Sequence, residues 1–142
     1  MRVRPLLFYP WMVRLAVPRV TAGVYILGER DDQQFRPRYV GRSDADLQDR
    51  LSRHELRSAL PYFQFRTCRD PYQAFLRECY YYHLHVEGLL NRIHPDAPNG
   101  SEFSCPYCAT ARAFSERTAG RYNWQMRQGS VSSSSSRASL KI

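Results

Sequence analysis

The sequence predicts an α+β fold in which a small three-stranded antiparallel sheet is flanked by helices. Three observations carry that prediction. Two β-branched and aromatic runs, VTAGVYIL at 20–27 and RPRYVGR at 36–42, enclose the turn-forming stretch GERDDQQ, which is the pattern of a hairpin with a longer loop. A third run, YFQFRTC at 62–68, alternates as a strand does. Around it, DLQDRLSRHELRSAL and YQAFLRECYYYHLHVE repeat apolar residues at helical spacing. The order strand, strand, helix, strand, helix, without internal repeat, gives the class.

The 142 residues suffice for one domain with tails, and so for one principal centre. Residues 1–19 mix aromatics, prolines and arginines without a period, and leave three roles open: a packed arm, a partner segment or a partly disordered one. In the first predicted helix Leu47, Leu51 and Leu56 recur near a period of 3.6, with Ser43 or Asp44 as its cap and Pro61 as its stop. Asp70-Pro71 starts the second, since proline suits the first turn, and Gly88 ends it after Glu87. Within its tyrosine run, Tyr81 and Tyr82 are expected on the sheet side and Tyr80 in solvent. Then follow the irregular NRIHPDAPNGSEFSCPYC, a helical ATARAFSERTA and the serine-rich GSVSSSSSRASLKI, which cannot bury enough surface to fold. The expected layout is an arm at 1–19, a domain at 20–100, a cysteine-containing extension at 101–128 and a disordered tail at 129–142.

Lys and Arg number 21 against 13 Asp and Glu, a formal charge of +8, and nearly all the cations are arginine. Arginine forks onto phosphate better than lysine does, which favours a polyanionic partner over a merely solvated basic surface. No stretch is long and apolar enough to span a bilayer, and prolines and arginines break the N-terminal apolar run that a signal peptide requires. A cytoplasmic protein is expected. In that compartment the four cysteines read as reduced thiols or a metal knuckle.

Tyr25 and Tyr39 end and begin the two hairpin triplets and can point to one face of the sheet. Arg50 and His54, four apart, place a permanent cation beside a titratable imidazole. Glu78 stands among Ala74, Phe75, Cys79, Tyr81 and Tyr82, where an unpaired carboxylate is costly. Two tyrosines, an arginine, a histidine and a glutamate are the groups that metal-assisted phosphodiester hydrolysis needs.

In these residues the chain resembles the GIY-YIG nuclease superfamily. The motif reads Gly23-Val24-Tyr25, thirteen residues, Tyr39-Val40-Gly41-Arg42, then Leu47-x-x-Arg50-Leu51-x-x-His54, then Ala74-x-x-x-Glu78-Cys79, and it spans about residues 20–100. The resemblance implies a three-stranded antiparallel sheet flanked by helices and a DNA endonuclease leaving 5′-phosphate and 3′-hydroxyl ends. It implies Mg²⁺ or Mn²⁺ on Glu78, Arg50 on the phosphate, Tyr25 as acceptor of the water's proton and Tyr39 orienting water or phosphate. Arg42 and His54 are the cations available to lower a tyrosine's pKa, and Arg42 with Arg50 would contact substrate. Relatives often carry an asparagine after the glutamate helix, a position that Asn91 and Asn99 both fit as substrate contacts. The chain has no room for a long DNA-reading domain, so specificity is expected to be low, structure-directed or supplied by a protein partner.

Cys105-x-x-Cys108 has the spacing of half a zinc site, which His94 with His83 or His85 can complete and in which Cys68 or Cys79 can replace a histidine. Such an ion would be structural and would pin the irregular segment, since thiolates select a softer metal than the catalytic one. Two other classes fit the same sequence: a non-catalytic nucleic-acid-binding module of this fold, and a zinc-knuckle adaptor.

Overall fold

The computed structural model describes residues 4–108. The predicted helical turn at ATARAFSERTA, the serine-rich tail and most of the extension lie outside the described residues. Within them, β1 (Leu6–Leu7), α1 (Pro10–Ala16), β2 (Gly23–Asp31), β3 (Gln34–Ser43), α2 (Leu47–Ser52), β4 (Tyr62–Thr67) and α3 (Pro71–His85) follow in order, with a short 3-10 turn at Val86–Gly88. The class is α+β. The sheet is antiparallel with order β1-β4-β2-β3, so it has four strands where three were expected. The fourth comes from the N-terminal arm, where Leu6 pairs with Phe63 and Leu7 with Tyr62.

The arm is therefore part of the domain. Pro10 opens α1 at the position where its missing N–H costs nothing. Val13 and Val17, one turn apart, are buried with Phe8 in a cluster that includes Tyr25, Leu27, Leu47, Leu51, Leu60 and Phe63. Gln48 Nε2 donates to the carbonyl of Val17 at 2.8 Å and ties the arm to α2. The opposite face of the sheet carries a second cluster, in which Val24, Ile26 and Val40 meet Cys68 and, from α3, Ala74 and Tyr81. Residues alternating along β2 thus serve two different layers.

The hairpin is tighter than the sequence suggested. The strands continue through GERDDQQ to a two-residue turn in which Asp32 and Gln33 have φ of 47° and 68°, the left-handed pair that matches the twist of the flanking strands. Opposite Leu27 and Gly28 the register slips by one, from Tyr39 to Pro37, so that Arg38 is the extra residue of a bulge. Pro37 is tolerated because β3 is an edge strand.

The first predicted helix is also shorter. Asp46, not Ser43 or Asp44, caps it by accepting from the N–H of Asp49, while the Ser43 hydroxyl accepts from Asp46. It ends at Ser52, and residues 53 and 55–59 form turns. The cause is local: His54 Nδ1 accepts the N–H of Leu56 at 3.1 Å, a bond that competes with continuing the helix. By contrast α3 starts as read, with the Asp70 carboxylate accepting from Gln73 N–H and Pro71 in the first turn. It closes at His85, with the 3-10 turn carrying the chain on to Gly88. Tyr81 is buried as expected, but Tyr80 is half-buried against Tyr81 and Tyr107 and not free in solvent. No helix among the described residues is long and apolar enough to cross a membrane.

Tyr25 pairs with Gly41 across the ladder, and its ring lies over that glycine. A Cβ at position 41 would overlap the Tyr25 ring and hydroxyl, whereas one at Gly88 would meet only the Pro37 carbonyl at 3.6 Å. Gly41→Ala is therefore expected to destabilise by about 2 kcal/mol. Gly88→Ala should be neutral or slightly stabilising, because it restricts the unfolded chain without a clash. Urea unfolding of the two variants checks the opposite signs.

Candidate functional site

The hairpin brings the two tyrosines together because Tyr25 on β2 and Tyr39 on β3 are next to each other on one face. Their rings are near-parallel, 21° apart with centroids at 6.3 Å. The turn that ends α2 drives His54 edge-on into both, at 5.4 Å from Tyr25 and 5.1 Å from Tyr39. Tyr25 is fully buried, His54 buried, Tyr39 partly buried and Arg50 exposed. Tyr25 and His54 thus form the floor of the cluster, with Arg50 on its solvent side.

Two polar atoms in this floor have no hydrogen-bond partner among the described residues: Tyr25 Oη and His54 Nε2. Because Nδ1 of His54 accepts the N–H of Leu56, the neutral ring carries its proton on Nε2. Burial, with Arg50 adding to it, pulls the His54 pKa down from 6.5 to about 4, so the imidazole is neutral at physiological pH. Burial raises the Tyr25 phenol well above its ordinary value, and the neighbouring Arg50 guanidinium opposes this. Tyr39 is raised by the same cause and opposed by the same arginine. Buried polar groups are normally paired, so an orphaned phenol and N–H side by side beside a cation mark a place for an oxygen-bearing ligand or water.

Glu78, on α3, is buried, and Arg42 Nη1 donates to its Oε1 at 2.5 Å. Arg42 also donates through Nε to Asp44 at 2.7 Å and lies over the ring of Phe75. Burial raises the Glu78 carboxyl to about 7 even though Arg42 pulls it down, and Arg50 acts on it in the same direction as Arg42. The carboxylate is thus within electrostatic reach of the tyrosine–histidine cluster, although Arg42 and Val40 sit on the α3 side of β3. Arg42 is committed to two carboxylates, and Arg50, not Arg42, is the cation that acts on the tyrosines. Asp44, considered from the sequence only as a helix cap, is the partner that reading missed. Its position two residues after Arg42, just past the end of β3, is the signal that was available.

The two asparagines separate. Asn91 Oδ1 accepts from Val40 N at 3.0 Å and its Nδ2 donates to Val40 O at 2.8 Å, so its amide is engaged with the backbone of β3. Asn99 is exposed in a turn.

A second group gathers at the far end of α3. The imidazoles of His83 and His94 and the thiols of Cys105 and Cys108 have their ligand atoms within 4.8 Å of one another, and can hold a metal ion. Of the alternatives that the spacing left open, His83 is therefore the second histidine. Cys79, buried on α3 one turn before His83, is held as a thiol chiefly by burial.

No family model matches the chain, and neither a curated protein nor a solved structure matches it.

The His54 shift has a thermodynamic consequence. Its folded pKa lies below its unfolded value, so between about pH 6.5 and 4 the unfolded chain holds the extra proton and stability falls as the pH is lowered. Wild type is expected to lose on the order of 2 kcal/mol more than His54→Gln over that interval. Denaturant unfolding at both ends of it measures the difference, and parallel losses would contradict a buried neutral imidazole.

Proposed function

We propose that the chain is a divalent-metal-dependent DNA endonuclease using the GIY-YIG chemistry that its sequence resembles. One juxtaposition supports this reading above the rest: the unpaired Tyr25 Oη and His54 Nε2 share one buried floor beside Arg50. A phosphodiester and its attacking water would supply the missing oxygen partners. Arg50 would fork onto the nonbridging oxygens, His54 would donate from Nε2, and Tyr25 would accept the water's proton only as the phenolate, its own proton having left to solvent under the pull of Arg50 and the bound ion. Tyr39, only partly buried, would position the water or the phosphate. The excess of arginine over acidic residues would hold the DNA backbone, with affinity falling steeply with salt.

Glu78 is the residue that would hold Mg²⁺ or Mn²⁺, with water and substrate oxygens completing the shell. Its fit rests on the chemistry of the donor, a carboxylate oxygen of the kind these hard ions take, in a group that burial raises and Arg42 lowers in pKa. When bound, such an ion neutralises charge on the scissile phosphate. Arg42 would have to share that carboxylate with it. The His and Cys group is not asked to supply this ion, because thiolates and imidazoles select a softer one such as zinc.

The closed Arg42–Glu78 pair favours a second reading, a nucleic-acid-binding module without turnover. Incubating supercoiled plasmid and branched DNA with Mg²⁺, Mn²⁺ or EDTA distinguishes the two. The expected result is metal-dependent nicking, abolished in Glu78→Ala with DNA affinity within about twofold of wild type. Tyr25→Phe should lose at least about 100-fold in rate, and Arg50→Lys should lose turnover strongly because the fork is gone. Tight, salt-sensitive binding without cleavage on either substrate would support the binding module instead.

A further inference from the structure

The four-residue group at the end of α3 has the dimensions of an occupied site. His83 Nε2 lies 3.2 Å from His94 Nε2, 3.4 Å from Cys105 Sγ and 3.6 Å from Cys108 Sγ, and Cys108 Sγ lies 3.2 Å from His94 Nε2. Zinc–nitrogen bonds of about 2.0–2.1 Å and zinc–sulfur bonds of about 2.3 Å give a tetrahedron with edges of roughly 3.3 Å between nitrogens and 3.5 Å between nitrogen and sulfur. These four of the six edges agree with that figure to a few tenths of an ångström, and the other two lie within 4.8 Å.

The surroundings prepare these atoms as ligands. His94 Nδ1 is 2.7 Å from the carbonyl of Pro95, so Nδ1 carries the proton and Nε2 presents its lone pair to the centre. Two thiolates cancel the charge of one divalent ion, and four protein ligands leave no open position, which is the composition of a structural zinc site.

What this centre holds is visible in the chain between its ligands. After the 3-10 turn, residues 89–105 contain no helix or strand. Their hydrogen bonds to β3 include Leu90 N–H to the Arg38 carbonyl at 2.6 Å and the Asn91 amide on both backbone groups of Val40. We propose that His83, His94, Cys105 and Cys108 bind one Zn²⁺ that fastens this strap to α3 and so keeps Asn91 docked on β3, beside Tyr39. The inference stands independently of the nuclease reading, because its observations concern the strap and its ligands alone.

Metal analysis of the purified full-length chain is expected to find one zinc per molecule, retained in His85→Ala and lost in Cys105→Ser/Cys108→Ser. Exchange of Co²⁺ into wild type should give the visible spectrum of a tetrahedral thiolate site, which needs no variant to fold. Hydrogen exchange then tests the strap: the Val40 amide should be protected in the zinc-loaded protein and exchange at least about tenfold faster after chelation. Folded wild type that takes up neither zinc nor tetrahedral cobalt would overturn the site. Val40 protection unchanged after zinc removal would overturn the clamp.

Discussion

The register of β2 against β3 is the constraint on which the rest depends. Side chains alternate faces along a strand, so a slip of one residue would move Tyr25 and Leu27 to the α3 side and Val24 and Ile26 to the α1 and α2 side. The Asp32–Gln33 turn fixes the register at one end of the hairpin, and the Arg38 bulge adjusts it just before Tyr39. Gly41 makes the register usable, because it is the position over which the Tyr25 ring lies. Turn, bulge and glycine together put both tyrosines on the face that receives His54.

Charge is distributed unequally over the two sides of β3. On the α3 side, Arg42 is shared between Asp44 and Glu78, and removing the arginine would leave two carboxylates without their cation in partly buried surroundings. Across the strand, Arg50 is exposed and has two phenols and a neutral imidazole for company. The first group has no positive charge to spare. The second has positive charge and hydrogen-bonding capacity left over, which is why an anionic oxygen suits it.

Much of this was legible in the residues, and the failures have local causes. Strong period-2 and capping signals located the three longer strands and the start of α3, because Asp70-Pro71 acts through bonds within four residues. The end of α2 was misread because Leu56 continues the helical spacing, while the side chain that breaks the helix, His54, bonds to the backbone in a way no period reveals. The β1–α1 arm was undecided because two strand residues and two helical turns are too short to show a pattern, and their partners lie about fifty residues away. At the candidate site, the side-chain types and their order gave the membership of the tyrosine cluster. The commitment of Arg42 to Asp44 and Glu78, and the choice of His83 over His85, depend on three-dimensional neighbours.

The placement of the strap also bears on how the chain meets copies of itself. A β-sheet can grow at its edges, where unpaired N–H and C=O groups offer a template to another strand. One edge of this sheet is β1, only two residues long. On the other, β3, Leu90 and Asn91 already occupy the carbonyl of Arg38 and both backbone groups of Val40. The side chain of Asn91 therefore acts as a mimic of a fifth strand, one amide wide, which pairs with the edge and ends the ladder there. A chain that let go of this mimic would present an aromatic, β-rich edge to its neighbours, so the same contact that trims the domain also guards it against aggregation.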